Sequence, residues 1–134
     1  MTSLTKPDNF KNDWYGWITN QCGHVVLGQM LFVGFMAVAL FHGEYASRNT
    51  VWAGIAIGYA FWEIINRGAK WDSLEDFIFV CGYGAGIPAM LFREVTPGSS
   101  MIVGDLINVL PAVGLFAFHA TAGVIFRIIG TGKA

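Results

Sequence analysis

Six residues of this chain combine reactive chemistry with a spacing that lets them share one site: His24, Glu63, Asn66, Asp72, Asp76 and His119. Carboxylates can hold a cation or an amine-bearing headgroup, and imidazole gives or takes a proton near neutrality. Asp72 and Asp76 stand four residues apart, which puts them on one helix face; Glu63 shares a face with Ala56, Tyr59 and Asn66. A protonated His24 could serve Glu63, with Asn66 and His119 as outer partners. His24 and His119 also allow a different chemistry, as axial ligands to a haem or to chlorophyll. His42 lies on the face of His24, but eighteen residues of helix separate them by ~27 Å, so it belongs to the other end. Familiar catalytic motifs are missing: there is no phosphate-binding loop, no GxSxG elbow, no HExxH and no CxxC. Gly82-x-Gly84-x-Gly86 lies in an apolar span without a preceding strand and is not a dinucleotide fingerprint. Whether the chain is an enzyme, and which residue would be catalytic, is left open by the sequence.

These residues must be positioned by apolar helices. The chain has 134 residues, 54% of them hydrophobic and 13% charged, and a mean hydropathy of +0.53. That mix departs from an ordinary soluble domain and points to a membrane protein. A net charge of −1 supplies no basic field for nucleic acid. Four segments, roughly 21–42, 49–66, 73–92 and 101–126, approach the ~20 apolar residues that cross a bilayer core. The short connections between them predict antiparallel neighbours. The expected fold is therefore all-α: an integral membrane four-helix up-down bundle, with a polar, interfacial segment 1–20 followed by one transmembrane domain, 21–134. The second helix is the shortest and carries Glu63. The polar start has no cleavable-signal pattern, and Trp14, Tyr15 and Trp17 read as an interfacial belt. Six lysines and arginines fall on the side of the termini and second loop, against two on the other, so both termini are expected in the cytoplasm. This makes the expected location the inner (cytoplasmic) membrane, multi-pass.

Seventeen glycines fall largely within the spans. Gly54 and Gly58 form GxxxG in the second helix, Gly82, Gly84 and Gly86 crowd the third, and Gly104, Gly114 and Gly123 punctuate the fourth. Small residues let helices approach closely in lipid, within one chain or between copies. Pro88 and Pro111 are expected to kink the third and fourth helices. Cys22 and Cys81 lie in apolar segments and read as small, buried residues rather than a disulfide. Asp105, Asn108, Ala112, His119 and Gly123 form one stripe that should face the bundle interior. Antiparallel connectivity brings the start of helix one, the end of helix two and the start of helix three to one depth, so His24, Glu63 and Asp76 should meet on the cytoplasmic side. Plainer roles compete: Asp72 or Ser73 as a cap, Glu75 and Asp76 as first-turn acids, and Arg67 as the i+4 partner of Glu63.

The strings NQCGHVVLG, FWEIIN and WDSLEDFIFVCGYGAG resemble those of the VanZ-like family of small polytopic membrane proteins, over roughly residues 13–86. Matched by position, the resemblance picks out His24, Glu63, Asp72 and Asp76. It implies a bacterial or phage envelope setting, and the same layout is similar to that of small phage-encoded membrane proteins. The leading expectation is a polar site on the cytoplasmic side that binds a polar headgroup or a cation, without a cofactor. One alternative is a holin-like helix-packing or pore-forming protein; another is an accessory subunit of a larger complex holding haem or chlorophyll on His24 and His119. The expected partners are the lipid bilayer and either further copies of the chain or a larger membrane complex.

Overall fold

The computed structural model describes residues 13–42, 47–67, 71–91 and 109–131, apart from the side chains of residues 40, 67, 71, 72, 130 and 131. Those residues form four helical rods, with no strand among them. They are α1 (Trp14–Phe41), α2 (Arg48–Arg67), a composite third rod and α5 (Leu110–Thr131). The third rod runs through α3 (Trp71–Phe77), a π-helical segment (Ile78–Ala85) and α4 (Gly86–Leu91).

The aromatic cluster expected to precede the first span is instead its first turn. Asp13 caps α1, its Oδ1 accepting from the Gly16 N–H at 2.8 Å, while its carbonyl accepts from the Trp17 N–H at 3.0 Å. Trp14 and Tyr15 are exposed, as an interfacial belt requires, but Trp17 is only 1% exposed and belongs to the core. Along α1 the buried residues Trp17, Gln21, Gly28, Phe32 and Met36 make one stripe, with half-buried His24 on it. That stripe faces the third rod.

The third rod lies at the centre. Its Val80, Cys81, Ala85 and Ala89 pack with Phe32 and Met36 of α1 and Ile55 of α2. Phe79 and Tyr83 pack with Trp17 of α1 and with Phe116 and Val124 of α5. Two different faces of one rod thus receive α2 and α5. Backbones approach most closely where Gly28 meets Gly84. A Cβ on Gly84 would stand 2.6 Å from the Val25 carbonyl oxygen and 2.9 Å from Gly28 Cα. Only glycine permits that crossing.

The π segment was not expected. Backbone torsions at its flanks, −59°/−44° at Phe77 and −71°/−41° at Gly86, remain right-handed helical, so the rod continues unbroken. Gly82 and Gly84 lie within the wider turns, and Pro88, two residues beyond Gly86, supplies no N–H to the turn before it. The other proline does not kink its helix as expected. Pro111 is the second residue of α5, in the first turn, where its missing N–H would have had no helical partner. The preceding residues 101–108, with Gly104, Asp105 and Asn108, lie outside the described residues.

Contacts fix the directions. Trp17 and Glu75, near the starts of α1 and α3, are hydrogen-bonded, so α1 and the third rod run parallel. Trp52 of α2 reaches Cys81 while the later Tyr59 meets the earlier Phe77, and α5 brings Phe116 to Tyr83 and Arg127 back to Glu75. Both flanking helices are antiparallel to the central pair. Three stretches are long and apolar enough to cross a membrane: Trp14–Ala39, Ser73–Leu91 and Leu110–Ile129. The four expected spans therefore become three by this measure. α2 is long enough, but Arg48, Asn49, Glu63, Asn66 and Arg67 lower its hydropathy. Outward-facing Leu115, Phe118 and Phe126 of α5, and Met30, Phe35 and Val38 of α1, are all exposed. Apolar surface on that scale fits a membrane protein.

Candidate polar site

At the end where α1 and α3 begin, three side chains close a triangle. His24 Nδ1 lies 3.1 Å from Asp76 Oδ1 and 3.2 Å from Gln21 Oε1, and Gln21 Nε2 donates to Asp76 Oδ1 at 3.3 Å. Helical spacing explains the convergence: Gln21 and His24 are one turn apart on the buried stripe of α1, and Asp76 is on the α3 face that meets it. Gln21 and Asp76 are 2% and 4% exposed, so their hydrogen bonds replace water that cannot reach them. An acidic oxygen beside Nδ1 favours the tautomer with its N–H there. The Nε2 lone pair of half-buried His24 is then available to accept a proton or a donor.

Glu63 adds a second carboxyl at the same end. It is 3% exposed, and Tyr59 one turn earlier donates its hydroxyl to Oε1 at 2.9 Å. Tyr59 is itself wedged against Phe77, with ring centroids 6.4 Å apart. This places Glu63 on the face of α2 that packs on α3, not on its outward side. A buried carboxyl there needs hydrogen bonds or a positive partner.

The remaining expected residues occupy other settings. Asn66 is exposed and donates back to the Trp62 carbonyl of its own helix at 2.8 Å. Asp72 begins α3, but its side chain lies outside the described residues, as does that of Arg67. His119 sits deeper, its Nδ1 3.2 Å from the Tyr83 hydroxyl and its ring 4.9 Å from that of Phe79. The two histidines are thus tied to different residues of the third rod, His24 to Asp76 and His119 to Tyr83. Either could present Nε2 to an axial position on a haem or chlorophyll, since both contacts use Nδ1. Among the described residues no group of three or more His, Cys, Asp or Glu is disposed to hold a metal ion.

Sequence reasoning missed a neighbouring cluster. Trp17 Nε1 donates to Glu75 Oε2 at 3.1 Å, Arg127 Nη2 lies 3.7 Å from the same oxygen, and the guanidinium stands 4.2 Å over the Trp17 ring. Gly123, one turn before Arg127, makes room: a Cβ there would stand 2.7 Å from Trp17 Cζ2. This joins α1, α3 and α5 at the end that carries the His24–Asp76 pair. The i+4 spacing of Gly123 and Arg127 was the available signal, a small residue and a cation on one face. Gln21, within the quoted NQCGH string, had an equivalent signal in its i+3 spacing to His24.

Comparison of the chain with protein-family models, with curated proteins and with solved structures returned no match. The reading of this site therefore stands on its geometry.

Proposed function

We propose that this chain is a multi-pass protein of a bacterial or phage-encoded envelope, similar to the VanZ-like group, inserted in the inner membrane with both termini in the cytoplasm. In this reading all four rods span, with α2 carried by its packing on the third rod. The end bearing His24, Gln21, Glu63 and Asp76 is then cytoplasmic. Its role is to bind a polar headgroup or cation. The observation that carries this reading is the burial of two carboxyl side chains, Asp76 and Glu63, at one end, with an imidazole held by the first. Acidic oxygens at a low-dielectric boundary attract an ammonium group or another cation, and Nε2 of His24 adds an acceptor.

Native mass spectrometry on nanodiscs containing phosphatidylethanolamine tests the headgroup, and Mn²⁺ titration by electron paramagnetic resonance tests the cation. One of the two should bind the wild-type chain, and Asp76→Asn and Glu63→Gln should each weaken it about tenfold through loss of a charge-assisted contact, with membrane insertion unchanged. Identical behaviour of wild type and both variants in both measurements would overturn the proposal.

A second reading, self-association of the holin-like kind, has one observation in its favour. Gly54 and Gly58 face open space, with nothing within 4 Å of a Cβ at either position. The GxxxG of α2 is therefore not an internal packing motif, and a second copy is the partner it would suit.

A further inference from the structure

Gln21 closes the triangle with His24 and Asp76, yet it is neither an acid nor a base. It is 2% exposed and uses both ends of its amide. Nε2 donates to Asp76 Oδ1 at 3.3 Å, and Oε1 lies 3.2 Å from His24 Nδ1. The third side, His24 Nδ1 to Asp76 Oδ1, measures 3.1 Å. One assignment of hydrogens satisfies these contacts with Asp76 ionised. The carboxylate accepts from the amide, the Nδ1–H is shared between Asp76 Oδ1 and Gln21 Oε1, and the lone pair stays on Nε2.

A second assignment fits the same heavy atoms. The nitrogen and oxygen of a carboxamide are nearly equal in size, so turning the Gln21 amide over preserves its two distances. Its N–H then donates to Nδ1, and its oxygen accepts from a protonated Asp76. In that arrangement Nδ1 carries no hydrogen and Nε2 carries the N–H. The two assignments differ by one proton, and both leave the imidazole neutral. Gln21 thus ties the tautomer of His24 to the charge of Asp76.

We infer that the triangle is a proton-loading switch: a proton taken up at His24 Nε2 ends as a proton on Asp76, and the nitrogen offered to a ligand changes from acceptor to donor. His24 is the point of entry because 15% of its side-chain surface is exposed, against 6% for Asp76. A proton from water bonds to Nε2, the Nδ1 proton passes across 3.1 Å to Asp76 Oδ1, and Nδ1 keeps the electron pair. The Gln21 amide then turns over. A low-dielectric setting favours this product over an imidazolium–carboxylate pair, because both members are neutral and both are hydrogen-bonded. Other titratable groups at this end have contacts of their own: Glu63 of α2 with Tyr59, and Glu75 of α3 and Arg127 of α5 with Trp17. His119 of α5 meets Tyr83. The side chains of Arg67, Lys70 and Asp72 lie outside the described residues. The charge on Asp76 is what attracts a cation in the reading proposed above, so proton uptake weakens ligand binding; that consequence rests on the headgroup-or-cation reading.

Nitrogen-15 NMR of the full chain in nanodiscs, labelled at its histidines, tests the switch, with the His24 signals identified by their loss in His24→Gln. On acidification the wild type should pass from the neutral Nδ1–H form to the neutral Nε2–H form. Gln21→Met, which cannot bridge, and Asp76→Asn, which cannot store the proton, should each pass to the imidazolium instead. A wild-type imidazolium, or an Nδ1–H form that persists until the chain unfolds, overturns the inference, and the wild-type spectrum decides even where Gln21→Met fails to fold. Binding of Mn²⁺ or phosphatidylethanolamine should weaken about tenfold for each pH unit lowered through the range of that conversion, one proton against one ligand. Constant affinity through that range also overturns it. Failure of the wild type to bind either probe overturns the headgroup-or-cation reading instead, and the NMR spectrum still decides the switch.

Discussion

Asp76 and Glu75 are adjacent acids in α3 with different consequences. Asp76 is buried and receives the Gln21 amide and the His24 ring on one oxygen. Removing it leaves the buried Gln21 amide and the half-buried His24 ring without that acceptor, a loss of about 1–3 kcal/mol. Glu75 is partly exposed and its contact with Arg127 spans 3.7 Å, in the range where an ion pair contributes roughly 0–1 kcal/mol. Asp76→Ala should therefore lower the melting temperature in detergent more than Glu75→Gln does. Equal losses in the two variants would show that the triangle adds no more to stability than the Glu75 contacts with Arg127 and Trp17.

At the scale of the helices, glycine position decides which contacts exist. A Cβ on Gly84 would stand 2.6 Å from the Val25 carbonyl oxygen of α1, whereas one on Gly58 would face open space. Gly84→Leu should separate α1 from the third rod and abolish the monodisperse folded species in size-exclusion chromatography. Gly58→Leu should leave the folded monomer intact, and a shift from a larger to a smaller assembly in that variant would identify α2 as the face between copies. By sequence both glycines are small residues that would let helices approach closely, within one chain or between copies. Sequence spacing cannot separate them, because a GxxxG presents the same small-residue groove whether a partner comes from the same chain or another.

For the whole molecule, the membrane proposal makes α2 a dependent span. Its polar residues Arg48, Asn49, Glu63, Asn66 and Arg67 sit at its two ends, and Glu63 is buried against protein rather than lipid. Tested as an isolated segment in a translocon insertion assay, α2 should insert poorly while α1 and α5 insert efficiently, since ionisable residues cost ~2.5–3.5 kcal/mol at a helix centre and less near its ends. In the full chain, single cysteines at Lys70 and Lys133 should be shielded from an external reagent and one at Arg93 should react. Labelling that puts positions 70 and 133 on opposite faces would refute the paired topology.

Composition and the length of the apolar runs were enough to read an all-helical chain with alternating rods, because every backbone group in an apolar setting must be satisfied within its own helix. Antiparallel connectivity likewise puts the starts of α1 and α3 and the last turns of α2 at one end, with His24, Asp76 and Glu63 on them. What the sequence could not supply was the facing of each rod. Apolar residues surround α1 on all sides, so no hydrophobic stripe tells its packed side from its outward side. Trp17 therefore read as an interfacial anchor, and its packing on Phe79 together with its Glu75, Gly123 and Arg127 neighbours makes it a core residue. The π segment was hidden for a related reason: it is where Gly84 passes Gly28 of α1, and that passage exists only once α1 and the third rod are packed together.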